Sequence, residues 1–357
     1  MTRITDTLGA ITALAYGSGG SCPSCGGGVD TLASLTDAKS QTTTYGYDLM
    51  SRTVKETDPL DNITLYGYDA AGNLKTRTTP NGVTITHEYD RLRRLIKKSY
   101  PDGSSESYSY DAAGRILSAA NKDISYGYGY DSAGRLARVT DSRGVTIEYE
   151  YDILGNRIKT TLQKGTPDEH IVSYDYDQAN RPASIRSSSG TFSYSYDGAG
   201  RRSGIIYPHG VTGSYGYDSL GRLTSLRHLA GSATITSADY GSFDKVGNRG
   251  SKSTPAGAET YGYDPVYRLI QAATPFGTEQ FTYDAGGNRL TGPGPKDTKY
   301  RYDAGNRMLV GRVFGYLYDN NGNQTGRTSP VVTDKSWVQS WDAENRLIRV
   351  EKGPRGT

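Results

Sequence analysis

The chain has 357 residues, of which 34% are hydrophobic and 22% charged, and its formal net charge is +3. That apolar content is low for one large globular core, while the near balance of charge excludes a disordered polyelectrolyte and a nucleic-acid-binding basic surface. Tyrosine makes up the deficit: there are 30, each a large rigid ring with a polar tip.

At the N-terminus, Met1 to Gly20 has no basic start followed by an apolar core, so it does not read as a secretory signal. No run anywhere is long and apolar enough to span a membrane as a helix. Cys22 and Cys25 sit in a glycine-rich stretch with zinc-ligand spacing, but no second pair follows and His87, His170, His209 and His228 are scattered singly. A redox motif would need a βαβ setting that is not visible. An inert loop, a local disulfide and half of a metal site completed by a partner all remain open for this pair.

From Leu35 onward the chain is periodic. Fifteen aspartates, from Asp48 to Asp342, are each followed four residues later by arginine or asparagine, and ten of the fourteen intervals between them are 19 to 21 residues. Twenty-four of the tyrosines stand one or three residues before these aspartates. Such a period marks one supersecondary unit copied in tandem. The unit is written Tyr-x-Tyr-Asp-x-x-Gly-Arg-Leu, as in Tyr128 to Leu136. The residue three past the aspartate is glycine in nine copies and asparagine in three, the types that enter the left-handed region at least cost. A three-residue hairpin loop needs that conformation, and an aspartate at its first position accepts bonds from the loop's own NH groups. Asp131 and Arg135 are then cross-strand neighbours of opposite charge.

The approach strand Val145 to Tyr151 alternates apolar and polar residues strictly, as a half-buried strand does. Both tyrosines of a unit therefore share one face. A second turn signal closes most periods, at Asp58-Pro59, Pro80-Asn81-Gly82, Pro101-Asp102-Gly103, Ser142-Arg143-Gly144 and Pro208-His209-Gly210. Two turns per period leave two strands of about six residues. His87 to Tyr100 alone could be an amphipathic helix, but Tyr89, Asp90, Arg94 and Leu95 fall on the repeat register, which predicts strand. The expected class is all-β: residues 1–34 a partial repeat with the glycine-rich loop, 35–352 the hairpin array, 353–357 a tail.

The chemistry of common enzymes is missing from the pattern. There is no Gly-x-Ser-x-Gly elbow, no phosphate loop and no His-Glu-x-x-His, so no catalytic residue, cofactor or metal ligand is assigned. Calcium would need clustered carboxylates, whereas each unit brings one fixed aspartate. The ten arginines at the turn read as partners of the unit's own aspartate.

These residues resemble the YD repeat, also called the RHS repeat, of bacterial Rhs and wall-associated polymorphic toxins, insecticidal toxin-complex C components and animal teneurins. The resemblance runs from about Leu35 to Lys352. It implies a hairpin ribbon that curves and spirals into a hollow shell, enclosing a toxin in the bacterial members, and an association with carbohydrate or cell surfaces. Family shells use far more strands than the roughly thirty expected here, and the family's Asp-Pro self-cleavage site is not matched by Asp58-Pro59 or Asp264-Pro265. The chain is therefore expected to be a non-catalytic shell segment, secreted or at the cell surface, whose partners are a downstream shell or toxin segment or another shell component. The alternative is a carbohydrate-binding module using Tyr128, Tyr130, Tyr149, Tyr151, Tyr194, Tyr196, Tyr215 and Tyr217. Rings packed against neighbouring hairpins would be the wall's own core, whereas rows open to solvent would favour binding. Trp337 and Trp341 in the terminal hairpin read as an interface, or as packing within that hairpin.

Overall fold

The computed structural model describes residues 2–17, 31–292, 300–329 and 336–352. Cys22 and Cys25 lie outside the described residues. Every strand from Thr2–Thr5 to Gly277–Gln280 pairs antiparallel within one open sheet of 26 strands, and six more from Arg301–Tyr302 to Leu347–Lys352 form a second sheet. The one helical element described is the single turn Pro208–Gly210. The stretch Leu95–Ser99 is strand, as the register required.

The Asp-x-x-Gly turn is built as its residues dictate. In the copy at Asp131, the Asp131 NH donates to the Arg135 carbonyl at 2.9 Å and the Gly134 NH to the Asp131 carbonyl at 2.9 Å. The Asp131 carboxylate accepts from the NH groups of Ala133 and Arg135. Gly134 has φ +81°, and Ser51, Arg93 and Tyr267 hold the same left-handed place in their copies at φ 59°, 62° and 68°. A register shift between Gly129 and Tyr130 marks the bulge that follows such a loop.

The turns at the opposite end use the same loop. Asp58 NH donates to the Asn62 carbonyl and Asp61 NH to the Asp58 carbonyl, both at 3.0 Å, and the pattern recurs at Thr79, Tyr100, Asp141 and Tyr207. The irregular intervals have local causes. A turn running from Gln163 to Glu169 lengthens one period, and the 11-residue strand Ala233–Phe243 lengthens another. The short strands Met308–Gly311 and Phe314–Tyr318 shorten a third.

The chain divides into two compact units: Met1–Ser105 with Tyr263–Gln271 and Glu279–Thr357, and Glu106–Gly262 with Ala272–Thr278. Substantial contacts join strands adjacent in sequence, so neither unit gains a covering second layer. Accordingly only Ile85, Ile205, Ala238, Ala272, Phe281 and Tyr300 are buried apolar residues.

Within the first unit the N- and C-terminal stretches meet tip to tip. Thr7 Oγ1 donates to the Pro265 carbonyl at 3.0 Å. The Lys39 ammonium donates to the Asn306 side-chain oxygen at 3.1 Å and pairs with Asp284 at 3.2 Å. Asn81 donates to the Asn321 and Asp319 side chains, and Lys98 and Tyr100 both donate to Glu344 Oε1. Each contact sets an opposite-end turn of the early hairpins on an Asp-x-x-Gly turn of the late ones.

Candidate functional site

The tyrosine face is the feature that the repeat builds fifteen times, and its geometry follows from an incomplete ladder. Strand Leu136–Asp141 pairs with Thr146–Tyr151 only through Arg138, Val139 and Thr140, at the end away from the aspartate turn. The carbonyl of Leu136 is therefore outside that ladder and needs another donor. The Tyr151 hydroxyl supplies it at 2.8 Å. The same reach, to the residue five past the preceding aspartate, is made by Tyr68 to Thr53, Tyr130 to Ile116, Tyr196 to Pro182, Tyr217 to Arg202 and Tyr283 to Leu269.

The turn arginine completes the clamp. Arg135 Nε donates to Asp131 at 2.7 Å, Nη1 donates to the Asp152 carbonyl of the next unit at 2.8 Å, and the guanidinium lies 4.6 Å from the centre of the Tyr151 ring. Arg201 repeats all three contacts with Asp197, the Asp218 carbonyl and Tyr217. Arg52, Arg115, Arg181 and Arg268 stack on Tyr68, Tyr130, Tyr196 and Tyr283. Arginine suits this place because a planar guanidinium can pair with a carboxylate and stack on a ring at once. The turn arginines thus join consecutive hairpins as well as closing their own.

Three asparagine copies shift the arginine by one residue. Asn156, Asn248 and Asn288 donate to Asp152, Asp244 and Asp284. The following Arg157, Arg249 and Arg289 stack on Tyr174, Tyr240 and Tyr300 at 5.1, 4.0 and 4.8 Å.

The turn carboxylates respond to this setting. The Arg135 NH, and then its guanidinium, hold Asp131 below the usual aspartate range. Asp48 is lowered in the same way by Arg52, and Asp69 by the Asn73 side chain first and its NH second. Burial pushes the phenols of Tyr196 and Tyr215 up.

All eight tyrosines singled out from the sequence are half-buried on this face. Tyr130, Tyr151, Tyr196 and Tyr217 have both hydroxyl and ring engaged by the preceding hairpin. Tyr128 and Tyr194 stand opposite Val139 and Ile205 across the hairpin. Tyr149 lies 5.7 Å from Arg157. Tyr215 lies under Arg202 at 4.7 Å and meets His228 Nε2 at 3.3 Å. Trp341 occupies the tyrosine position of the last copy, and its Nε1–H donates to the Gln324 carbonyl at 2.8 Å, so it packs within the ribbon. Trp337 is 37% exposed.

Tyr151→Phe tests the clamp with little change of shape. Losing one hydrogen bond and leaving the Leu136 carbonyl without its donor is expected to cost about 1 kcal/mol. Urea unfolding checks the stability, and hydrogen exchange is expected to accelerate in strands 136–141 and 146–151. A change no larger than that of an exposed surface substitution would refute the clamp.

The repeat matches known proteins at two levels. The family model for the teneurin YD-shell matches residues 29–167, and the RHS repeat model matches 176–212 and 196–233. No curated protein sequence matches the chain. Among solved structures, the Photorhabdus luminescens Tc holotoxin pore is 16% identical, with 98% of this chain and 22% of that chain covered at a TM-score of 0.59. The TcdB2–TccC3 crystal structure is 15% identical over 89% of this chain and 23% of that chain, at a TM-score of 0.50. At these identities the likeness is one of fold, and this chain spans about a fifth of the length of the solved chains. The turn, the bulge, the paired tyrosines and both family models agree: the repeat is a structural shell repeat, and the chain belongs to the YD-repeat, or RHS-repeat, family.

Proposed function

We propose that the chain is a non-catalytic wall segment which, with further shell segments or another shell component, encloses a toxin polypeptide for delivery. The observation that carries this reading is the arginine–tyrosine clamp. It ties each hairpin to the next on one face, so a sheet with no covering layer keeps a defined curvature and one face free to line a cavity. The Tc structures support the reading through fold, and the fraction of their length that this chain spans suits a segment working with others. Such a wall acts outside the cell or at its surface. Residues 35–352 are taken as the array, 1–34 as a partial repeat and 353–357 as a tail.

Protease protection tests it. The chain is produced with the product of its neighbouring coding sequence and digested with trypsin under native conditions. A polypeptide that survives in the assembly and is degraded once the assembly is unfolded supports enclosure, and one cut equally fast in both states rules it out. Carbohydrate binding by Tyr128, Tyr130, Tyr149, Tyr151, Tyr194, Tyr196, Tyr215 and Tyr217 is the weaker reading, because half of these residues already have ring and hydroxyl committed to the wall. A glycan array separates the two: saturable binding lost in Tyr128→Ala and Tyr149→Ala would favour the sugar reading.

A further inference from the structure

The second unit has two rims of hairpin tips, and one of them is apolar without a structural reason. At the aspartate turns, the two residues after each aspartate point away from the sheet and make no demand on the loop. Copies there use Ala, Ser, Gln or Gly without consequence, as at Ala112-Ala113, Gln178-Ala179 and Gly198-Ala199. Yet Ile153 is 101% exposed, Leu154 72%, Leu220 75% and Val246 56%. Scattered exposed apolar residues are ordinary, but here they recur at one position of one rim. In the first unit the aspartate turns at Asp48 and Asp90 carry the same feature, in Leu49, Met50 and Leu92.

The first unit also shows what covers such a rim. Its late aspartate turns, at Asp264, Asp284, Asp303, Asp319 and Asp342, are capped by the opposite-end turns of its early hairpins. The fit is by knob and hole. Leu60 reaches to 3.0 Å from where a Cβ on Gly305 would stand, and the Lys39 stem to 2.9 Å from that of Gly286. Opposite-end tips and aspartate tips are therefore complementary surfaces in this repeat. They share a period as well, because each hairpin advances either rim by two strand spacings, about 10 Å.

On the opposite-end rim of the second unit, the tips present small residues, Gly144, Ser188, Ser189, Gly210 and Ala256, all exposed. Large residues on one rim and small ones on the other, at equal spacing, continue in mirrored form the interface already made inside the first unit. We propose that the apolar rim of Ile153, Leu154, Leu220 and Val246 docks the opposite-end rim of a second copy of this chain, head to tail. The contact is heterologous, so copies add in series and do not stop at a closed dimer. It holds whatever the wall encloses, and failure of the trypsin experiment leaves it standing.

Analytical ultracentrifugation of the full chain tests this with two variants whose substitutions lie on exposed tips. Leu154→Asp with Leu220→Asp disables the apolar rim, and Ser188→Glu with Ala256→Glu disables the opposite one, because a charge buried without a partner is costly. Wild type is expected to associate progressively with concentration. Each variant alone is expected to associate at least about tenfold more weakly, and their equimolar mixture to form dimers and nothing larger. Circular dichroism confirms that both retain the β-fold. Wild type that stays monomeric at every concentration overturns the proposal. So does association that survives both variants but is lost in Ile348→Lys with Val350→Lys, since copies would then be pairing along the exposed strand Leu347–Lys352.

Discussion

Gly134→Val lowers stability by about 1–3 kcal/mol, the range for a residue forced to hold a sparsely populated backbone conformation. Gly134 sits at φ +81°, where a β-branched side chain is a steric outlier. Its new Cβ would also stand 3.0 Å from Arg115 Nη1, which belongs to the guanidinium stacked on Tyr130. The damage is local, because the stability of an array is approximately a sum over units and their interfaces. Hydrogen exchange is expected to accelerate in Ser125–Tyr130 and Leu136–Asp141, with distant hairpins unaffected. Tyr267 supplies the control. It occupies the same place at φ 68° and already bears the left-handed cost, so Tyr267→Val loses less. Tyr267→Gly gains up to about 1 kcal/mol by relieving that cost. Equal losses at positions 134 and 267 would show that the two turns do not share a geometry.

The turn was legible because positive φ restricts residue type so strongly that backbone conformation shows in the letters. Asp-x-x-Gly announces its loop, and Asn180, Asn306 and Asn345 announce it nearly as well. The opposite-end loops were legible as turns but not as the same loop, because Thr79, Tyr100 and Tyr207 open them without the aspartate that advertises the pattern. Arginine was read only halfway. Its charge pointed to the aspartate four residues back, whereas the ring it covers lies in the next unit, as Tyr68 does for Arg52, Tyr151 for Arg135 and Tyr217 for Arg201. The fixed spacing of 16 residues in those three pairs is visible in the sequence and was the available signal. Trp341 belongs to the same lesson: it reads as an interface residue until the tyrosine hydroxyl has a job, and then as a substitute donor. The tip-to-tip contacts of the first unit had no local signal. They join residues 238 to 269 apart, a separation set by how the hairpins turn and not by any motif.

Acid is expected to dismantle the array as a whole, because the same carboxylate recurs in nearly every hairpin. Thirteen of the turn aspartates are held below the ordinary aspartate range. In the unfolded chain an aspartate titrates near pH 3.9. A folded value below that makes the ionised form the one that stabilises, so the contribution is complete above about pH 5. It is lost as pH falls through the folded values, where the unfolded chain binds more protons. The urea midpoint should therefore be nearly flat from about pH 8 to pH 5 and fall steeply below about pH 4. Salt separates the two causes of the shift. It screens the exposed ion pairs with arginine, but not the short bonds from the turn NH groups to the carboxylate. Much of the acid loss should persist at about 1 M salt, where the Debye length is about 3 Å. Asp131→Asn refines this, since an asparagine oxygen can still accept from the Ala133 and Arg135 NH groups. That variant should lose stability at pH 7 through the broken pair with Arg135, and lose less than wild type between pH 5 and pH 2. A midpoint that stays flat to pH 2 in wild type would mean that the carboxylates only decorate turns held by their backbone alone.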